Sequence, residues 1–170
     1  MDLWHNVKRF FGSLRPGPPP REDLAWAEGH LLPAEVDLWR VMSNPDKRHA
    51  LRVAHRVEAA LGADAPRPVM AAALLHDVGK VDAHLRTYGR VIATLTIWLA
   101  GKRTVASWTQ TRGLWRRLGL YAEYTRLGSE ALALAGSDPL TVAWALEHHE
   151  PPEAWTIPRE LGEVLAAADE

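Results

Sequence analysis

Residues 71–80 read AAALLHDVGK, an apolar helical run that ends in His76 and Asp77 and is followed by Gly79 and Lys80. Placing an imidazole and a carboxylate at the end of a buried helix is costly unless a partner compensates for their lost hydration. A divalent cation would serve both side chains, with Gly79 in a positive-φ turn that leads out of the site and Lys80 close enough to meet a phosphate oxygen. A hydrogen-bonded His–Asp pair in the core is the competing interpretation, so the prediction of a metal site depends on further ligands.

Two further ligand candidates lie at apolar helical stripes elsewhere in the chain. His49 shares a helix face with Val53 and Val57, which predicts that its imidazole points into the core. Asp169 closes the apolar stripe of the last predicted helix with a carboxylate. His55 lies about 240° around the helix from His49 and is therefore the weaker candidate.

The four candidates His49, His76, Asp77 and Asp169 offer two nitrogen and two oxygen ligands. The chain has no cysteine, which excludes thiolate zinc sites, iron–sulfur clusters, disulfide scaffolds and thiol catalysis. A mixed set with room for water favours Mn, Fe, Mg, Co or Ni in an open octahedral site over a closed structural zinc. We therefore expect one divalent ion, with two as the alternative.

The rest of the chain predicts an all-α fold. After residue 20, every segment with a hydrophobic period has the helical one, and breaks fall at proline and glycine residues such as Gly119. The longest apolar stretch, residues 91–100, is about half of the ~20 residues that a membrane span needs, so we interpret it as a buried helix and expect no transmembrane segment. The predicted helices cover residues 21–31, 34–43, 46–61, 67–78, 88–100, 103–118, 120–135, 139–149 and 159–168.

Residues 1–20 are predicted to be an arm attached to a helical domain at residues 21–170. The arm consists of an amphipathic helix at residues 2–14 and a stiff proline-rich linker. We expect this helix to dock on its own domain or on a second subunit, giving a homodimer, with a membrane surface as the alternative.

Overall charge does not indicate the class of partner, because the 20 Lys and Arg residues are balanced by 21 Asp and Glu residues. Nucleic acid is therefore neither favoured nor excluded. No secretory signal is recognised at the N-terminus, so we expect a cytoplasmic protein.

The pattern His49…His76-Asp77…Asp169 resembles the H…HD…D signature of the HD-domain metal-dependent phosphohydrolase superfamily. The resemblance covers about residues 46–170 and implies an HD-domain helical bundle with one or two divalent metals, acting on phosphomonoesters, phosphodiesters or nucleotides. Residues 49–54, 72–80 and 166–169 carry it, and residues 78–90 and 137–141 are similar to actinobacterial-type HD-domain proteins.

The adjacent pair His148 and His149 ends another predicted helix. In binuclear relatives an adjacent His pair binds extra metal, so the resemblance implies a second metal or a phosphate contact here. A pair that caps the helix carbonyls is the alternative. Those relatives usually supply a further His where this chain has residues 87–90, TYGR, and the Gly-Tyr-Pro motif of the cyclic-dinucleotide branch is missing after His149.

Basic residues are concentrated in the predicted insert between the HD helix and the His pair. Guanidinium groups fit phosphate oxygens, so a phosphate-binding surface is one interpretation and a solvated helix face is the other. The candidate phosphate contacts are Arg52, Lys102, Arg103, Arg112 and Arg116.

We expect a metal-dependent phosphohydrolase that acts on a nucleotide or another small phosphoester or phosphodiester through a metal-activated water. Asp77 and Lys80 would be its catalytic residues, with Asp77 orienting the water and Lys80 neutralising charge. One alternative is a metal- and nucleotide-binding signalling module without turnover. Another is a structural helical domain whose histidines are satisfied within the core.

Overall fold

The computed structural model describes residues 17–62, 65–85 and 87–170. These residues form ten α-helices and three 3₁₀ turns without a strand, which confirms the all-α prediction. The helix predicted at residues 2–14 lies outside the described residues. The helices are α1 (Arg21–Gly29), α2 (Pro33–Val41), α3 (Asn44–Leu61), α4 (Arg67–Leu75), α5 (Thr87–Ala100), α6 (Lys102–Ser107), α7 (Gly113–Ala122), α8 (Tyr124–Leu134), α9 (Pro139–Glu147) and α10 (Arg159–Asp169).

Helix starts follow the local sequence signals. The Ser43 side chain caps α3 by accepting a hydrogen bond from the Asp46 amide at 3.4 Å. The Asp138 carboxylate does the same for α9, accepting from the Leu140 amide at 2.9 Å. Proline occupies the first turn of both helices, where its missing N–H costs no intrahelical bond.

Helix α4 lies in the middle of the main core. Its residues 69–75 are all buried, as expected for a helix that is apolar around its whole circumference. Neighbouring helices pack around it, and the largest side chains of this core are Trp39 from α2 and Trp144 from α9. Because α4 ends at Leu75, the two residues that follow are delivered into the protein interior.

Helices α5, α6 and α7 form a second, smaller core around Ala93, Val105 and Leu118. The prediction of a buried helix at residues 91–100 is wrong, because α5 turns the small Ala93 inward and large apolar residues outward. Within the described ranges, no helix combines the length and apolarity needed to cross a bilayer.

The predicted helix at residues 103–118 is also wrong in extent. The chain forms α6, a 3₁₀ turn (Trp108–Gln110) and then α7, and the break falls at residues 111–112, just before Gly113 begins α7 with φ +61°. Gly119, predicted as a break, lies inside α7. A Cβ at Gly119 would lie 2.5 Å from the Thr109 backbone nitrogen, so glycine serves a close contact there rather than a helix end.

Candidate metal centre

The ends of several helices converge on one buried cluster. His76 and Asp77 follow α4, His49 lies on α3 and Asp169 is the last residue of α10. His49, His76 and Asp77 each offer a ligand atom, and these three atoms lie within 4.8 Å of one another. Asp169 adjoins them, with Oδ1 at 2.8 Å from His49 Nε2 and 3.7 Å from His76 Nε2. The structure thus brings the four predicted ligands together.

The His76 ring is oriented as a metal ligand would be. Its Nδ1 lies 3.0 Å from the Ala73 carbonyl oxygen, which can only accept, so Nδ1 carries the proton. In the neutral ring Nε2 then presents a lone pair. That atom is buried and makes no hydrogen bond to any described residue, although carboxylate oxygens of Asp77 and Asp169 lie 3.5 and 3.7 Å away.

A lone pair facing two carboxylates is unfavourable unless a positive charge lies between them. A divalent cation meets this need, and imidazole with carboxylate is a ligand chemistry that Mn, Fe, Co and Ni accept. The fixed Nδ1–H of His76 also matches the usual outer-shell arrangement of metal-binding histidines. The buried group of His49, His76 and Asp77 is therefore fitted to hold a metal ion.

Asp77 is held in its charged form. Burial alone would raise the pKa of this carboxyl, but the Lys80 ammonium counters burial, and the pKa lies well below its usual range. The Lys80 ammonium lies 2.5 Å from Asp77 Oδ2 and 4.9 Å from the centre of the Tyr124 ring. Burial opposes the charge of Lys80 as well, yet Asp77 raises the pKa of Lys80 above its ordinary value.

Helix α3 fixes Asp169 as well as supplying His49. Arg56 donates a hydrogen bond at 2.9 Å to the carbonyl of Ala168, the residue before Asp169. Burial would raise the pKa of Asp169, but the hydrogen bond from His49 outweighs burial and lowers it. Asp169 is therefore an ionised carboxylate at the edge of the cluster, and 23% of its side chain is exposed.

His148 caps its helix, as one interpretation of the His pair predicted, and its ring also faces the cluster. Its Nδ1 lies 3.2 Å from the carbonyl oxygens of both Trp144 and Ala145, which is a helix-capping arrangement. Burial lowers the pKa of His148 to about 3, so its ring is neutral and its Nε2 presents a lone pair. That nitrogen lies 3.9 Å from Asp77 Oδ1 and therefore faces the cluster of candidate ligands.

Tyr124 is a site residue that the sequence analysis missed. Its hydroxyl lies 3.3 Å from His148 Nε2 and is hydrogen-bonded to His149 Nε2, and its ring lies below Lys80. Tyr124 begins α8, which crosses the turn after Asp77. A tyrosine at a helix start carries no spacing pattern, so only the packing of α8 could reveal it.

Gly79 does not have the positive φ predicted for it. Its small size matters instead, because a Cβ there would lie 2.0 Å from the Tyr124 carbonyl oxygen and 2.6 Å from the Gly128 nitrogen. Any side chain at this position would push α8 away from the Asp77 turn. Gly79 therefore holds Tyr124 and Lys80 together.

The predicted phosphate contacts are not gathered at the cluster. Arg52 is exposed and donates to the Arg48 carbonyl at 3.1 Å. The insert residues are also exposed, and their side chains form no hydrogen bond or ion pair with the described residues. These are Lys102, Arg103, Arg112 and Arg116.

A different arginine approaches the cluster. Arg90 of α5 forms a two-pronged ion pair with Asp46 of α3, with Nη2 2.7 Å from Oδ2. Burial opposes its charge, but Asp46, Tyr121 and Asp77 together raise the pKa of Arg90. The pair joins the second core to α3 three residues before His49.

Comparison with protein-family models, curated proteins and solved structures finds no match for this chain.

Proposed function

We propose that this chain is a metal-dependent phosphohydrolase of the HD-domain type, acting on a nucleotide or another small phosphoester or phosphodiester. One observation carries the proposal: the buried His76 Nε2 makes no hydrogen bond to the described residues and faces the carboxylates of Asp77 and Asp169. The order of these ligands along the chain is that of the H…HD…D signature.

His49, His76, Asp77 and Asp169 would hold the ion. When bound, a divalent cation supplies Lewis acidity, which lowers the pKa of water and draws charge from a phosphoryl oxygen. The ionised Asp77 accepts hydrogen bonds, so its oxygens can orient a water molecule.

Lys80 supplies positive charge at Nζ, where it can neutralise a phosphoryl oxygen. Its present partner is Asp77, so the same ammonium can lie between that carboxylate and an incoming phosphate. The neutral His148 adds a hydrogen-bond acceptor at Nε2 on the same side. These groups suit attack of water on a phosphorus centre.

The test compares wild type with Asp77→Ala in metal content and in hydrolysis of p-nitrophenyl phosphate, bis-p-nitrophenyl phosphate and a nucleotide panel with Mn²⁺. Asp82→Ala is the matched control, because Asp82 is an exposed carboxylate a few residues further along. We expect wild type and the control to bind metal and to release product, and Asp77→Ala to do neither.

Full hydrolysis by Asp77→Ala would refute the proposal. Metal and nucleotide binding without product, across the panel and over hours, would instead favour the signalling module without turnover.

A further inference from the structure

Helix α5 carries an apolar stripe on its outward face. Its members recur at the spacing of one helix face, opposite the side on which Ala93 packs into the second core. Each is between 41% and 79% exposed, although five of the six lie in the most apolar stretch of the chain. The outward stripe consists of Tyr88, Val91, Ile92, Leu95, Trp98 and Leu99.

The neighbouring helix α7 also exposes large apolar side chains. Leu114 and Trp115 of α7, which packs against α5, are each more than half exposed. Scattered exposed apolar residues are normal, but six on one helix face form a stripe of the kind that marks an interaction site, and the neighbouring helix adds two more exposed apolar side chains.

The charged residues of the segment that forms α5, α6 and α7 are all basic. The sequence contains no Asp or Glu between Asp82 and Glu123, whereas the same segment carries seven basic residues. The basic residues of α6, of α7 and of the turn between them are exposed, and their side chains form no ion pair or hydrogen bond with the described residues. They are Lys102, Arg103, Arg112, Arg116 and Arg117.

We propose that the outward face of α5, with the basic residues of α6 and α7, is a docking surface for an anionic lipid bilayer. Exposed aromatic and aliphatic side chains, together with cations that have no partner among the described residues, suit the boundary between acyl chains and anionic headgroups. Trp98, Tyr88 and Trp115 have the amphipathic rings that favour this boundary. A protein partner with an acidic rim would satisfy the cations but would not call for a 40-residue stretch without a single acid.

The test is co-sedimentation of the full-length chain with vesicles of phosphatidylcholine alone or with about one-third phosphatidylglycerol. We expect binding to the anionic vesicles, weak binding to neutral ones and release at high salt, because screening weakens the headgroup contribution. The double variant Leu95→Ser/Trp98→Ser should lower the partition coefficient at least tenfold. Leu134→Ser is its control, because Leu134 is equally large and 91% exposed but belongs to α8.

A second pair of variants tests the charges. Arg116→Gln/Arg117→Gln should weaken binding to anionic vesicles and leave binding to neutral ones unchanged. Arg126→Gln is the matched control, since Arg126 is already paired with Glu123 and Glu130. Circular dichroism of each variant verifies the helical fold. If the double apolar variant fails to fold, the charge variants and the salt series still show whether this surface binds anionic vesicles.

Three results would overturn the proposal. The first is the absence of binding to anionic vesicles. The second is binding that neither the stripe variant nor the charge variant reduces, which would assign it to another segment such as residues 1–16. The third is a concentration-dependent dimer in sedimentation velocity that Leu95→Ser/Trp98→Ser abolishes, because a second copy would then cover the stripe.

Discussion

His76 Nε2 lies 3.7 Å from Oδ1 of Asp169, so the end of α4 and the last residue of α10 share one site. His49 of α3 completes the contact, with its Nε2 2.8 Å from the same oxygen. Three helices that are distant in sequence therefore meet through polar atoms inside an apolar bundle. A cation bound here would link them, and the candidate site is at the same time a structural junction.

Replacing His76 should abolish tight metal binding. We expect His76→Gln to weaken Mn²⁺ or Co²⁺ binding by at least ~100-fold, because loss of an outer-shell partner alone typically costs about 10–100-fold. Titration calorimetry on metal-free protein measures the change. His55→Gln is the control, since His55 is exposed and stacks on Trp26 with ring centres 4.0 Å apart. Equal affinities in both variants would rule out His76 as a ligand.

Replacing His148 should separate capping from metal binding. In EDTA, His148→Ala should lower the free energy of unfolding by about 1–3 kcal/mol, because the Trp144 and Ala145 carbonyls lose their side-chain donor. Urea denaturation measures this loss, and elemental analysis should still find the first ion. His149→Ala loses a hydrogen bond to Tyr124 but, among the described residues, no carbonyl contact, so it should cost about 1 kcal/mol or less. Loss of all metal from His148→Ala would place His148 among the primary ligands.

Sequence patterns predicted the all-α fold and the convergence of the four ligands because both depend on local periodicity. An apolar helix ending in His76 and Asp77 must deliver them to the interior, and Asp169 ends a buried stripe. The same reasoning wrongly predicted that α5 is buried, because an apolar stripe identifies one face of a helix but does not show whether another element covers that face. Leu95 and Trp98 are thus exposed despite their apolar surroundings in sequence.

The roles of Gly79, Gly119 and Tyr124 could not be predicted from the sequence for a different reason. The sequence predicted helix ends at Gly79 and Gly119. In the structure each glycine instead lets the backbone of another element approach closely, α8 at Gly79 and the 3₁₀ turn Trp108–Gln110 at Gly119. Distinguishing a turn from a close contact requires knowing the partner, which at Gly79 is the Tyr124 carbonyl. Tyr124 itself became visible as a site residue only through that contact.

Enlarging Gly79 should destabilise the protein severely. The Cβ of Gly79→Ala would overlap the backbone of Tyr124 and Gly128, which cannot move without shifting α8, so we expect a loss of about 3 kcal/mol or more. Thermal or urea unfolding measures it. Gly29→Ala is the matched control, because nothing lies within 4 Å of a Cβ there, and its effect should stay within ~1 kcal/mol. Equal stability of the two variants would contradict the close contact at Gly79.

The ion pair between Arg90 and Asp46 should contribute strongly to the attachment of α5. Arg90→Gln leaves the largely buried Asp46 carboxylate without its cation, so we expect a loss of about 3 kcal/mol in the free energy of unfolding. Arg126→Gln removes two more exposed ion pairs, with Glu123 and Glu130, and should cost about 1 kcal/mol or less. Adding Asp46→Asn to Arg90→Gln should recover part of the loss, because no unpaired charge remains. An Arg90→Gln protein as stable as wild type would show that the pair does not hold α5 in place.

Metal binding should stabilise the fold, because the ion would link α3, α4 and α10 only in the folded chain. A ligand at 100 times its dissociation constant adds about 2.7 kcal/mol to the free energy of unfolding. For a chain of this size that corresponds to a rise in Tm of about 5–10 °C, measured by calorimetry with Mn²⁺ against EDTA. Asp77→Ala should show no such rise, and comparing each protein with and without Mn²⁺ removes the effect of the substitution itself. Asp82→Ala should retain the full rise. A Tm that saturating Mn²⁺ leaves unchanged in wild type, or raises equally in Asp77→Ala, would mean that the cluster of His49, His76 and Asp77 binds no ion.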